Sequence, residues 1–331
     1  MAMNEIVPAD PRPLALPSVR LSEVANQAIE DATPDSTRRS YAAAWTHFVQ
    51  WCESQGVTFL PADASTVANY AAAMAEAYKL STIRHRLSVV NQAHEARGLD
   101  APGKTRVVRS AIRGIAKRKA GDGEKKRKAE PVLTAHLQAM AAKLDLVGTL
   151  EAKRDKALLL VGFAGAFRRS ELGALTVEDV VFDNGRGIKV TISRSKTDQL
   201  GEGHVIGIGH GRNPATCPVL ALREWLDASG IKSGPVFQSF RKGGALTGKG
   251  LSGEAIRRII KAAVGTVLGA DEADGFSGHS LRRGFVSQGA LNGATERGMM
   301  KQTRHKSLGV FRDYIKDFGV WTDNESGNLG L

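Results

Sequence analysis

Residues 104–131 read KTRVVRSAIRGIAKRKAGDGEKKRKAEP, and this stretch divides the chain. Its first half sets Val107, Val108, Ile112 and Ile115 at helical spacing, which predicts a helix from about Lys104 to Lys117 with those four residues turned to a core. Arg106, Arg109, Arg113 and Lys117 follow at steps of three, four and four, so they form one continuous stripe along a separate side. The second half has no apolar periodicity, contains Gly121 and Gly123, and ends at Pro131, the pattern of a solvated linker. Between Lys104 and Lys128 eleven Lys or Arg stand against two acidic residues, a local excess of nine in a chain whose formal net charge is +12. A lone basic run is usually a solvated surface. A basic helix stripe that continues into a basic linker favours tracking of a nucleic-acid backbone.

Outward from this divide, 331 residues are enough for two domains. The expected boundaries are a mobile, proline-rich arm over 1–21, a helical domain over 22–118, a basic linker over 119–130 and a second domain over 131–331. In the helical domain Tyr41, Trp45, Phe48, Val49 and Cys52 form one apolar stripe, with Asp35 and Ser36 as capping candidates. A second helix is expected after Pro61, near Asp63 or Ser65, through Val67, Tyr70 and Met74, and a third from Leu80 to about Ala96. The second domain reads as helical over Leu133–Leu144 and Ala152–Phe163. The period then changes: Ile188, Val190 and Ile192 alternate with Lys189, Thr191 and Ser193, and a second alternating stretch follows at His204, Ile206 and Ile208, which predicts a hairpin with a long loop over 194–203. Helices return from Pro218.

Other function classes fall away on composition. No run of about 18 apolar residues exists, so no membrane span is expected, and the N-terminus lacks a signal-peptide pattern. Cys52 and Cys217 are too few for a disulfide framework and lack zinc or redox spacing, which fits a reducing, cytoplasmic setting. His204, His210 and Cys217 match no common zinc pattern, and Cys52 on its apolar stripe reads as core. No cofactor or metal is expected.

Four places in the second domain hold cations or nucleophiles in short, distinctive settings: Phe167-Arg168-Arg169-Ser170-Glu171-Leu172, Ser193-Arg194-Ser195-Lys196-Thr197, His279-Ser280-Leu281-Arg282-Arg283, and His305 with Tyr314 nine residues later. Singly, each has a structural explanation, such as an arginine at a helix cap or a tyrosine in a core. Together, in this order, they resemble the tyrosine site-specific recombinase (phage integrase) family, recognised by R-x-S-E-L, a hairpin lysine, H-x-x-R, and a His or Trp nine residues before a tyrosine. The resemblance spans about residues 30–327. Thr37–Arg39 with the Trp and Phe spacing that follows, Thr82–Leu87 and Ser277–Ser280 are similar to the Cre-like members.

The resemblance implies a mainly α (α+β) fold: a helical core-binding domain and a catalytic domain with a small antiparallel sheet, forming a C-shaped clamp on duplex DNA. It implies that Arg168 and Arg282 hold the non-bridging oxygens of a phosphodiester, with His305 as a third donor. Tyr314 is then the nucleophile, Lys196 the general acid, His279 an aid to proton transfer, and Glu171 a residue that orients a neighbouring group. Arg168 and Arg169 are adjacent, and R-x-S-E-L selects Arg168; Arg169 is left as a structural residue or a phosphate contact. The implied partners are double-stranded DNA with an inverted-repeat target and three further copies in a homo-tetramer that passes through a Holliday junction, with the segment after Tyr314 docking on a neighbour through Phe318, Val320, Trp321, Leu329 and Leu331. A bacterial, phage or plasmid origin follows.

In the first domain the resemblance places Arg38, Arg39, Ser40, Arg84, His85 and Arg86 against phosphates and bases, beside the stripe of Arg106, Arg109 and Arg113. Their bland reading is a polar helix face in water. Two departures stand out. Thr303-Arg304-His305 lacks the glycine that many relatives carry before the histidine. Glu254 stands where Cre-like members carry a base-reading arginine, and reads either as an acceptor for cytosine N4 or as a charge at a helix N-terminus. A type IB topoisomerase and a non-catalytic DNA-binding scaffold are the rival readings, and a cationic membrane-surface protein is a third.

Overall fold

In the computed structural model, which describes residues 23, 34–124, 128–183, 185–192, 203–305 and 307–315, the Tyr41–Cys52 stripe lies on helix α1 (Asp35–Ser54). Pro34 holds the N-cap position, so Asp35 and Ser36 fall inside the first turn instead of capping it. The fixed φ of proline suits the entry to a helix, and this moves the start ahead of both capping candidates. Helix α2 (Ala64–Ala73) starts as its sequence predicts, with the Asp63 carboxylate accepting from Thr66 N at 2.6 Å. Helices α3 (Leu80–Glu95) and α4 (Arg106–Gly121) complete the first unit. Its core joins Phe48, Cys52, Val67, Tyr70, Ile83, Leu87, Val108 and Ile115. Burial pushes the Cys52 thiol up to about 11, as a core thiol requires.

Two expectations for α4 need correction. Val107 is 56% exposed, because it lies about 100° around the helix from Val108 and outside the Val108–Ile112–Ile115 stripe. The helix also runs past Lys117 to Gly121: Arg118, Lys119 and Ala120 are good helix formers, and the first breaker is the Gly-Asp-Gly that follows. Glu124 fastens this end, pairing with Lys119 at 3.0 Å and accepting from Leu80 N, an orphan donor in the first turn of α3, at 3.0 Å.

Contacts divide the chain into two units, Met1–Lys126 and Arg127–Leu331. The second is built around α6 (Leu150–Ala164), whose residues from Ala157 to Gly162 are all buried. Packed with it are α5 (Thr134–Val147), α8 (Pro218–Ser229) and α11 (Ser280–Leu291). Trp225 of α8 is fully buried and donates its indole N–H to Val236 O at 2.8 Å. The predicted strands form an antiparallel pair, β2 (Gly187–Ile192) and β3 (His204–Gly209), with Val190 opposite Ile206. Ile188, Val190 and Ile192 are buried and Lys189 and Thr191 exposed, as the alternation requires. Strand β1 (Val180–Asp183) adds to β2, and β4 (Gln238–Phe240) pairs with β5 (Leu246–Gly250) in a second small sheet. The remaining helices are the short α7 (Arg169–Ala174), then α9 (Gly253–Leu268), α10 (Ala270–Ala273), α12 (Glu296–Thr303) and α13 (Leu308–Ile315). The expected N-terminal arm, the Arg194–Gly203 loop up to residue 202, and the tail from residue 316 lie outside the described residues.

Candidate active site

The buried helix α6 ends at Gly165, and the chain turns through Ala166, whose φ of 46° is rare for a residue with a side chain. Phe167 is buried, and Arg168 follows in extended conformation as the N-cap of α7. Three residues on, the buried Glu171 reaches back. Its Oε2 accepts from Arg168 N at 2.8 Å and its Oε1 from Arg168 Nη1 at 2.6 Å. A carboxylate at the third helical position thus satisfies an orphan N–H and fixes a guanidinium at once. Because Arg168 precedes the helix and Arg169 opens it, the two side chains part at the cap; Arg168 turns in to Glu171 and Arg169 stays exposed.

Glu171 also binds a residue that sequence reasoning left out of the site. Arg304 Nη2 donates to Glu171 Oε2 at 2.6 Å, and both side chains are at least 95% buried. Arg304 ends α12 in the left-handed conformation, with φ 57° and ψ 41°. This is the cap position at which glycine is the usual residue. Arg304 Nη1 further donates to Gln302 O at 3.0 Å, and its guanidinium lies 5.7 Å from the centre of the Phe167 ring. The signal in the sequence was the missing glycine at Thr303-Arg304-His305. Its meaning was out of reach there, because Glu171 is 133 residues away.

Arg282, on α11, is almost completely buried. Nη1 donates to Ala166 O at 2.7 Å, Nη2 donates to Thr303 O, and Nη2 lies 3.4 Å from His305 Nε2. His305 Nδ1 is 2.8 Å from the Thr303 hydroxyl, which donates its single proton to Met299 O at 2.8 Å. The hydroxyl therefore accepts from Nδ1–H, and Nε2 presents its lone pair toward Arg282. Burial first, then the charges of Arg282, Arg168 and Arg304, lower the His305 pKa to about 4. The imidazole is neutral at physiological pH.

His279 is the exposed N-cap of α11, one turn before Arg282, and its N–H donates to Ser277 Oγ at 3.2 Å. Tyr314 lies on α13, which packs on α11 and is anchored by the fully buried Phe311 against Val286 and Met299. The Phe311 ring is 5.6 Å from that of His305. Lys196 lies outside the described residues. The structure thus gathers Arg168, Glu171, Arg282 and His305, with Arg304, around the Gly165–Phe167 turn. Three guanidiniums and one carboxylate leave a net charge of about +2 beside a neutral imidazole, an environment that favours an anion.

In the first unit Arg38, Arg39 and Arg84 are exposed, and Ser40 Oγ lies 3.0 Å from His85 Nε2, joining the second turns of α1 and α3. Arg86 is placed differently. Its guanidinium lies 4.0 Å from the centre of the Tyr78 ring and its Nη1 is 3.0 Å from His47 Nε2, so it serves an internal contact between helices. Arg84, Arg106, Arg109 and Arg113 line one groove of about 520 Å³ together with Ser88 and Asn91. Ser88 and Asn91 were missed by sequence reasoning, although they continue the face of Arg84 at steps of four and three. On α9, Glu254 accepts from Arg257 Nε at 2.9 Å, one turn along the same helix. Among the described residues no three His, Cys, Asp or Glu are grouped to hold a metal, and no helix is long and apolar enough to cross a membrane.

The profile of the Phage integrase family matches residues 135–318. The chain is 37% identical to the integrase/recombinase xerD homolog of Selenomonas ruminantium over 92% of its own length and 88% of that protein. It is 23% identical to the Cre recombinase of Escherichia phage P1 over 89% of its length and 84% of that protein. Among solved structures, the Tn1549 transposon integrase in complex with transposon right end DNA matches with a TM-score of 0.59 at 13% identity, over 88% of this chain and 92% of that one. A lambda integrase dimer bound to a COC′ core site matches with a TM-score of 0.57 at 16% identity, over 89% and 93%. The chain belongs to the phage integrase family, the tyrosine site-specific recombinases, which cleave and rejoin DNA.

Proposed function

We propose that this recombinase acts on double-stranded DNA carrying an inverted repeat, as a Cre-like homo-tetramer that exchanges strands in two pairs through a Holliday junction. The observation that supports its catalytic part is the nest of Arg168, Arg282 and Arg304, tied through Glu171 and the Ala166 carbonyl, next to the anchored helix that carries Tyr314. In this reading Arg168 and Arg282 hold the non-bridging oxygens, where charge accumulates in the transition state. The Tyr314 phenolate attacks phosphorus, the P–O5′ bond breaks, and a 3′-phosphotyrosine forms. Lys196 gives its proton to the leaving 5′ oxygen, and His279 takes part in moving the phenolic proton. The phosphoester is exchanged and not hydrolysed, so rejoining requires neither ATP nor a metal. Arg38, Arg39, Ser40, Arg84, His85 and the Arg106–Arg109–Arg113 stripe supply contacts to the flanking duplex, and Arg86 acts through the packing of its helix. Glu254, paired with Arg257, is assigned to the helix N-terminus.

The test is incubation of wild-type and Tyr314→Phe protein, in EDTA, with nicked suicide duplexes built from inverted repeats that flank the gene, followed by denaturing electrophoresis. A covalent band in the wild type alone is expected. A covalent band that survives Tyr314→Phe removes the assignment of the nucleophile, and relaxation of supercoils at no specific site favours a type IB topoisomerase.

A further inference from the structure

Arg169 is the residue at this site that the family pattern leaves unspecified, and its surroundings give it a definite position. It opens α7 directly beside Arg168 and is exposed. Its side chain lies across two glycines from distant parts of the unit. A Cβ on Gly278, the residue before His279, would stand 2.5 Å from Arg169 Cδ and 3.1 Å from Cγ. A Cβ on Gly253, the first residue of α9, would stand 2.8 Å from Arg169 Nε and 3.3 Å from Cζ. The guanidinium is therefore held over the start of α9, with its stem against the turn that leads to His279.

Among the described residues no carboxylate lies within ion-pair distance of Arg169; the carboxylate that senses its charge is Glu254, which it shares with Arg257 and Arg258. The nearby carboxylate, Glu254, is occupied by Arg257, with Nε and Nη2 both donating to it. Arg168 next to it is a like charge, and so is the positive end of the α9 dipole. A cation held in a fitted slot, near one shared carboxylate and with its donors open to solvent, gains electrostatic energy when a further anion arrives.

We propose that Arg169 binds a backbone phosphate of the DNA adjacent to the scissile one, and that Gly253 and Gly278 are small in order to leave its side chain this path. The inference rests on the reading of the neighbouring site as a phosphodiester site. It adds a phosphate contact on the protein side that carries His279 and the start of α9. Guanidinium suits this role, since it stays charged and presents paired donors to two phosphate oxygens.

The test uses the full chain in the Tyr314→Phe background, which is not trapped covalently, and the same duplexes, with affinity measured over a salt series. For Arg169→Ala the slope of log K against log salt is expected to fall by about 0.9 in magnitude, the release of one counterion, with weaker binding across duplexes of different sequence. Arg169→Lys, which keeps the charge, is expected to restore the slope. Gly278→Ala, which pushes the stem out of its path, is expected to weaken binding while Arg169 is still present. An Arg169→Ala protein that folds as its Tyr314→Phe parent does, by circular dichroism, and keeps the parent's slope and affinity overturns the proposal. Failure of the wild type to form a covalent band while Arg169→Ala still lowers the slope overturns the catalytic reading and leaves the phosphate contact standing.

Discussion

Replacing Arg304 separates two effects that the structure sets against each other. Removing one partner of a buried ion pair costs about 3–5 kcal/mol, and Glu171 keeps both of its bonds to Arg168, so the low end, about 3, applies. The left-handed backbone at Arg304 costs a residue with a Cβ about 1–2 kcal/mol, and Arg304→Gly recovers that amount. The net expectation is a loss of about 1–2 kcal/mol for Arg304→Gly and about 3 for Arg304→Ala, which loses the pair and keeps the strain. Hydrogen exchange at the Trp225 indole N–H reads the stability of the second unit alone, because that group is buried there and bonded to Val236 O. Equal losses for Ala and Gly would refute the strain, and a Gly variant more stable than wild type would refute the contribution of the pair. In the Glu171→Gln background both losses should shrink, since the charge that Arg304 meets is gone.

Two further outcomes follow from the geometry. His305 is held neutral, with its pKa lowered to about 4 from the ordinary 6.5, so the unfolded chain binds the proton first as pH falls. Stability from this residue is full above 6.5 and is lost between there and about 4; His305→Gln should flatten acid unfolding in that window, and imidazole NMR showing titration near 6.5 in the free protein would contradict the packing. In the first unit, Arg109→Ala should lower the salt slope of DNA binding by about 0.9, whereas Arg86→Ala should leave the slope unchanged and destabilise the unit by about 1–2 kcal/mol through the lost Tyr78 and His47 contacts. A slope change for Arg86→Ala, measured in the same salt series, would assign it to the DNA surface.

The parts of this fold that could be read in the sequence are those whose cause is local. Periodicity located α1 to α4 and the β2–β3 pair, because a stripe such as Val108–Ile112–Ile115 or an alternation such as Ile188–Val190–Ile192 carries its burial in its spacing. Strand β1 and the β4–β5 pair were missed. Val180–Asp183 is four residues with no alternation, and Gln238–Phe240 is three, so both owe their extension to a neighbouring strand. For the site, motif order picked out Arg168, Glu171, Arg282 and His305, but the contacts that draw them together, Arg282 to the Ala166 carbonyl and Arg304 to Glu171, cross more than 100 residues of chain. Sequence alone marks Arg304 as a departure from pattern and Arg86 as a DNA contact. Only the folded partners, Glu171 for one and Tyr78 with His47 for the other, fix what each side chain does.

Ala166 and Arg304 are the two described non-glycine residues with positive φ, and they meet at the site. The Ala166 carbonyl accepts from Arg282 Nη1 at 2.7 Å and lies 3.4 Å from Arg304 Nη2, so the strained turn serves as a common acceptor for two guanidiniums. Strain of this kind persists only where surrounding contacts over-determine the backbone. Here those contacts are the charged groups of the site itself: Glu171 and the carbonyls of Ala166 and Thr303 take one edge of each arginine. Relaxing either turn would free an arginine edge to swing, and a guanidinium that must reorganise as charge develops on a phosphate stabilises the transition state less than one already aimed. The left-handed arginine before His305 thus joins two needs that a glycine could meet only singly, ending α12 and fixing the carboxylate that aims Arg168.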